Sequence, residues 1–276
     1  MPNISIPHSN RESKSGIEML KKTFVAILIC FFPFLLMARE SLGQSENEII
    51  VSAAISLTNA FEEIAKRFQE KHKSARVLFN FGGSGDLSRQ IIGGAPVDVF
   101  ASASPKDMDD LDKMNMVLKD TRTDFAGNRV VLVVPANATL NLSSFNDLKR
   151  GEIKRIAIGN PQSVPAGRYS EEVLKYFNLM DGVKDKLIFA GNVRQVLDYV
   201  ARGEVDAGMV YSTDAAIKAD RVKIAIEASE QSHKPVVYPI AVIKGSKKEI
   251  PGKEFISFVV SQEGKQIMKK YGFKPL

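Results

Sequence analysis

Two short segments of the 276-residue chain place a serine where an apolar run gives way to a helical pattern. In the first, Ile49-Ile50-Val51-Ser52-Ala53-Ala54-Ile55 leads into Ser56, Leu57, Thr58 and Asn59. In the second, Val77-Leu78-Phe79-Asn80-Phe81 leads into Gly82-Gly83-Ser84-Gly85. A strand followed by a tight turn and a helix start exposes backbone N–H groups that have no intrahelical acceptor, at the positive end of the helix dipole. With a hydroxyl added, such a junction suits an oxyanion. The glycines around Ser84 allow close backbone approach and left-handed φ values. Taken singly, each serine also reads as an N-cap that satisfies only its own helix. Three later positions share the pattern. Val164-Pro165-Ala166-Gly167 opens a helix with small residues. Asn192-Val193-Arg194 does so after a strand closed by Gly191. Tyr211 brings a hydroxyl to the end of Ala207–Val210.

Other chemistries find little support. Only His8, His72 and His233 are present, the single cysteine is Cys30, and no HExxH or Cys/His cluster points to zinc. No GxSxG elbow marks an acyl hydrolase, and the Gly82–Gly85 loop lacks both the Gly-Lys-Ser/Thr of a P-loop and the third glycine of a dinucleotide fingerprint. Asp98 and Asp206 lie in or beside apolar strands, where a hydrogen-bonded structural role competes with that of a paired-carboxylate hydrolase. The net charge of +6 is spread without a long basic run, which argues against nucleic acid as a partner.

The elements that must position these residues alternate along the chain. Strands are expected at Glu48–Ala54, Arg76–Phe81, Val97–Ala101, Asn128–Pro135, Arg155–Gly159, Leu187–Ala190, Asp206–Tyr211, Val222–Glu227 and Val236–Val242. Helices are expected at Thr58–His72, Asp86–Ile92, after the Ser104-Pro105 cap, at Leu142–Arg150, from Pro165 to Met180, at Val193–Arg202 and over Gly252–Tyr271. Alternation of this kind predicts an α/β protein with mostly parallel sheets flanked by helices. The polar turn Phe125–Asn128 and the stretch His233-Lys234-Pro235 read as crossings between two lobes, with a ligand cleft between them. Ahead of the first strand, Lys21-Lys22, the apolar run Phe24–Met37 and the small residues Ser41–Ser45 have the order of a secretory signal, with cleavage near Gly43. The apolar run of about 14 residues is short for a bilayer span of ~20. Cys30 lacks the small residues ahead of it that lipid attachment requires. A chain cleaved there carries no cysteine, in keeping with an oxidising compartment.

In combination these segments resemble the periplasmic molybdate-binding proteins of ABC-type importers. The likeness runs through Ser52–Ala60, Phe81–Gln90, Gly94–Ala103, Gly127–Pro135, Val164–Gly167, Asn192–Arg194, Gly208–Ala215 and Tyr271–Phe273. The resemblance implies a two-lobed type II periplasmic-binding-protein fold, with lobe I over 44–127 and 236–276, lobe II over 128–235, and a signal segment over 1–43. It implies a non-enzymatic, periplasmic carrier, with membrane tethering as an alternative, that takes molybdate, and tungstate with it, to a membrane ABC permease. It further implies a monomer without cofactor, in which no side chain binds the metal directly. The ligand shell it implies comprises hydroxyls of Ser56, Ser84 and Tyr211 and backbone N–H groups of Ser56, Ser84, Ala166 and Val193. Arg168 departs from an apolar position common in the family and is expected at the cleft rim. The alternative ligand is another tetrahedral oxyanion such as sulfate.

Overall fold

The computed structural model describes residues 48–276. The expectations for the signal segment and Cys30 lie outside the described residues. The chain forms two five-stranded sheets, ordered β2-β1-β3-β10-β4 and β7-β6-β8-β5-β9. The first holds β1 (Glu48–Ala54), β2 (Arg76–Gly82), β3 (Val99–Ala101), β4 (Thr123–Gly127) and β10 (Val237–Val242). The second holds β5 (Val130–Pro135), β6 (Ile156–Gly159), β7 (Leu187–Ala190), β8 (Ala207–Tyr211) and β9 (Val222–Glu227). β1 runs parallel to β2 and β3, and β6 parallel to β7 and β8. In each sheet one strand is antiparallel to both neighbours: β10 in the first and β5 in the second. These are the first strands laid down after the chain passes from one sheet to the other. The two sheets therefore match position for position. β1, β2 and β3 of one correspond to β6, β7 and β8 of the other, and every residue singled out for anion chemistry follows or ends one of these six.

Helices cover the sheets: α1 (Thr58–Lys71), α2 (Ser84–Ile92), α3 (Pro105–Lys113), α4 (Pro165–Tyr176), α5 (Met180–Val183), α6 (Val193–Ala201), α7 (Ser212–Ile217), α8 (Glu249–Val260) and α9 (Gln262–Lys270). α1 buries Ala60, Phe61, Ile64, Ala65 and Phe68, an i, i+1, i+4 stripe that packs on the first sheet and meets Phe255 of α8 edge to face. Ser104 caps α3 by accepting from the Lys106 N–H, with Pro105 in the first turn, as the sequence signals.

Three expectations are corrected. Leu142–Arg150 is not a helix. A 3-10 turn spans only Phe145–Lys149, because the Asp147 carboxylate accepts from the Ser143 and Ser144 N–H groups and closes a capping box that leaves Leu142 and Ser143 outside. The closing helix is two helices, broken at Ser261, which turns to an extended ψ of 166° and caps α9 through the Gly264 N–H. Phe125–Gly127, read as a turn, belongs to β4. Its Phe125 and Ala126 are buried and the strand pairs with β10.

The start of α4 lies against β6 at backbone distance. A Cβ on Gly167 would sit 2.0 Å from the Gly159 carbonyl oxygen, and one on Gly159 would sit 2.4 Å from Val164 Cγ1. Two glycines therefore let the α4 terminus reach the carboxyl edge of the sheet. Gly167→Ala is expected to cost about 2–3 kcal/mol by overpacking, which thermal unfolding would report as a fall in Tm of roughly 5–10 °C.

Candidate functional site

The carboxyl edges of the two matched strand triplets face one another across a small cavity. Ser56, Ser84, Ala166, Val193 and Tyr211 all line it, together with Ala54, Gly83, Ala103 and Val164 among others. The structure thus brings all five sequence-selected positions to one place: Ser56 and Ser84 from the first sheet's edge, Ala166 and Val193 from the second's, and Tyr211 from the end of β8. The cavity is small, about 10 Å³, close to the room one water needs. No charged side chain lines it.

Ser56 is not the cap of its helix. A 3-10 turn over Ile55–Leu57 intervenes, α1 begins at Thr58, and no side chain caps either element. α2 and α4 likewise start without a side-chain cap, at Gly83 and Val164. Elsewhere Ser104, Ser144 and Ser261 cap their helices. The uncapped starts of α2 and α4, and the uncapped 3-10 turn before α1, all reach the cavity. α6 differs, since Asn192 accepts from the Gln195 N–H, two residues beyond Val193. The starts of α2, α4 and α6 and the 3-10 turn before α1 thus all contribute lining residues, which sets four positive helix ends beside the cavity.

The hydroxyls are buried and held from behind. Ser84 Oγ accepts from the Ala103 N–H at 3.0 Å, so its own proton is free to point into the cavity. Ser56 Oγ lies 3.1 Å from the Tyr238 hydroxyl. Tyr211 is 1 % exposed and its hydroxyl has no hydrogen-bond partner among the described residues. Burial, reinforced by the neighbouring Tyr238 and Tyr169, pushes the Tyr211 hydroxyl well above its ordinary pKa, so it stays a neutral donor. A buried hydroxyl without a partner costs about 1–3 kcal/mol, which a hydrogen-bonding ligand would recover.

The glycines beside Ser84 serve another purpose than left-handed backbone. Gly83 has φ −68°, and neither it nor Gly85 has a positive φ. Both are small because the loops after β6 and β7 press on them. The Gly85 N–H donates to the Ser163 carbonyl at 2.9 Å, and a Cβ on Gly85 would sit 2.7 Å from that oxygen. A Cβ on Gly83 would meet the Gly191 carbonyl at 3.2 Å. The two edges therefore join through backbone alone at the cavity's side.

Ion pairs flank this seam. Arg168 of α4 binds Asp107 of α3 at 2.5 Å, with Asp107 buried. The expected rim position of Arg168 resolves into this contact between the two halves. Arg194 of α6 binds the fully buried Asp214 at 2.5 Å and also reaches Asn59 of α1 at 3.1 Å. Burial raises both aspartates' pKa values from the ordinary value, against the opposing pull of their arginines. Sequence reading missed this pair because Arg194 and Asp214 are far apart in the chain and each alone looks like a surface charge.

The candidates for other chemistry are placed elsewhere. Asp98 accepts from the Ile50 N–H and from Ser246, and Asp206 accepts from the Lys154 and Arg155 N–H groups, in different sheets. Both are structural. His72 stacks on Phe68, and His233 Nδ1 contacts the Lys234 carbonyl oxygen. Among the described residues no three His, Cys, Asp or Glu side chains gather as a metal site, and no helix is long and apolar enough to cross a membrane.

Removing one member of the buried pair leaves a stranded charge. Arg194→Met is expected to cost about 3 kcal/mol, the lower end of the range because the guanidinium keeps some solvent. Chemical denaturation would report it, and adding Asp214→Leu to remove the stranded carboxylate should restore most of the loss.

Comparison with known proteins agrees with this geometry. Residues 49–274 match the family model for bacterial extracellular solute-binding proteins. The chain is 40 % identical to a Bacillus subtilis protein named putative ABC transporter substrate-binding lipoprotein YvgL, over 92 % of this chain and 99 % of that one. It is 37 % identical to the molybdate-binding protein ModA of Haemophilus influenzae, over 82 % of this chain and 89 % of the relative. The solved substrate-binding domain of a putative molybdenum ABC transporter from Clostridium difficile superposes with a TM-score of 0.65 at 38 % identity, covering 83 % of this chain and 99 % of that one. The chain belongs to the bacterial extracellular solute-binding protein family, and within it to the group whose members are named molybdate-binding proteins.

Proposed function

We propose that this protein captures molybdate, and tungstate with it, outside the cytoplasm and delivers it to an ABC-type permease in the membrane. One observation carries the reading. A buried cavity with no charged side chain is lined by hydroxyls and by residues at helix starts, whose backbone N–H groups only donate, and one of those hydroxyls, Tyr211, has no hydrogen-bond partner among the described residues. Molybdate is a full dianion at neutral pH, accepts at all four oxygens and donates nothing. Hydrogen bonds to a charged acceptor are worth about 1.5–3 kcal/mol each, so a shell of donors offsets the loss of hydration without a counter-charge. A protonated phosphate would need one of these hydroxyls to turn from donor to acceptor and is disfavoured for it. Sulfate carries the same charge and no proton, and only its smaller size works against it. Its reading is the weaker one, because several relatives 33–37 % identical to this chain are named molybdate-binding proteins.

In this reading Ser56, Ser84 and Tyr211 give hydroxyl donors, and Ser56, Ser84, Ala166 and Val193 give backbone donors. The lobes span 44–127 with 236–276, and 128–235, and close on the anion about the crossings at 127–128 and 235–236. In this reading the protein works as a monomer. Nothing in the shell can act as an activated nucleophile or general base, which supports carriage rather than turnover. The family and the leader-like segment support a periplasmic site of action.

Calorimetry tests the function directly. Molybdate and tungstate should bind tightly and sulfate much more weakly; a protein that binds sulfate or phosphate but gives no heat with molybdate refutes the proposal. Tyr211→Phe should weaken molybdate by about 1.5–3 kcal/mol, roughly ten- to a hundredfold, with little loss of Tm. The pH dependence follows from the same residue. Because the Tyr211 pKa is raised well above 10, the hydroxyl keeps its proton through pH 9. Affinity should therefore be flat from pH 7 to 9, and a steep loss by pH 9 would show a donor ionising in that range.

A further inference from the structure

Ser56 reaches the cavity with a side chain whose hydroxyl could point either way, and the residues behind it determine which. The side-chain oxygen of Asn128 accepts from the Arg129 N–H at 2.9 Å and from the Ser212 hydroxyl at 3.2 Å. A backbone N–H can only donate, so this contact fixes which end of the amide is oxygen. The Asn128 amide nitrogen then donates to Thr213 Oγ1 at 2.9 Å and to the Tyr238 hydroxyl oxygen at 3.2 Å. Having accepted there, Tyr238 places its own proton on the other neighbour of its hydroxyl, Ser56 Oγ, at 3.1 Å. Ser56 therefore accepts from behind, and its proton is left to face the cavity. Tyr238, Asn128, Thr213 and Ser56 are all buried, which shields the chain of bonds from solvent that would scramble its direction.

We propose that Tyr238 and Asn128 are positioning residues that set the polarity of the Ser56 hydroxyl, making it an obligate donor and thereby helping the site select fully deprotonated oxyanions. Neither residue lines the cavity; both act through Ser56. The inference rests on the oxyanion reading of the cavity. It makes Ser56 different from a freely rotating serine, which could turn a lone pair toward a protonated ligand oxygen and accept it. The same relay starts at Asn128, where the chain crosses between the sheets.

A double-mutant cycle on the full chain tests it, with molybdate binding measured by calorimetry and inorganic phosphate as a competitor at pH 6 to 8. Tyr238→Phe should weaken molybdate roughly tenfold and narrow the molybdate-to-phosphate preference, most at the lower pH. In a Ser56→Ala background Tyr238→Phe should add almost nothing, because its effect passes through the missing hydroxyl. Asn128→Asp gives an independent arm if Tyr238→Phe fails to fold. Its carboxylate accepts the Tyr238 proton, Tyr238 then accepts from Ser56, and the seryl lone pairs turn to the cavity; molybdate should weaken while phosphate gains relative to it. Multiplicative losses from Ser56→Ala and Tyr238→Phe, or an unchanged anion preference in both Tyr238→Phe and Asn128→Asp, overturn the relay. Failure of the unaltered protein to bind molybdate overturns instead the function on which the relay rests.

Discussion

The hydrogen bond from the Gly85 N–H to the Ser163 carbonyl is the contact on which the site depends. Two sheet edges, each ending in helix starts, have to meet closely enough for their N–H groups to share one small ligand. Side chains would hold them apart. A Cβ at Gly85 would sit 2.7 Å from the Ser163 oxygen and 2.9 Å from its Cα, so backbone meets backbone only because Gly85 lacks one. Gly167 against Gly159 repeats the solution within the second half, bringing the start of α4 down onto β6. Close approach at these points converts four ordinary helix termini into one concentrated positive potential without any cationic side chain.

Charge is kept out of the cavity and placed beside it. Arg168 with Asp107, and Arg194 with Asp214, are buried pairs that bind α4 to α3 and anchor α6, while Arg194 also reaches Asn59 across the seam. A guanidinium turned into the cavity would attract any anion, protonated or not. Neutralised by its own aspartate, each arginine serves as a structural tie, and discrimination is left to the direction of hydrogen bonds. Pairs of this kind contribute little net stability once their desolvation is counted, and their value lies in fixing which surfaces meet.

Much of this was legible in the sequence. Strand-to-helix junctions carry local signals, so Ser56, Ser84, Ala166, Val193 and Tyr211 all stand out in the sequence, and the structure lines one cavity with them. The family resemblance supplied their grouping, which no local pattern contains. The α/β alternation and the capping of α3 at Ser104 were equally local. What escaped was set by distant contacts. Gly82–Gly85 looked like a loop rich in conformational freedom, yet its glycines answer to Ser163 and Gly191 from the other sheet. Tyr238 carried no local signal, because its hydroxyl meets Asn128 from 110 residues away. The capping box at Ser144 and the break at Ser261 shortened elements that hydropathy alone ran together.

The two serines differ in what holds them. Ser84 is oriented by the Ala103 N–H, which follows β3 in the same sheet. Ser56 is oriented through Tyr238 by Asn128, whose own partners Arg129, Ser212 and Thr213 belong to the segment that begins the second sheet and to the helix after β8. One donor is thus finished within a single half of the molecule and is ready before the halves meet. The other takes its direction from the joint between them, so the posture of the whole molecule is written into the heading of one proton.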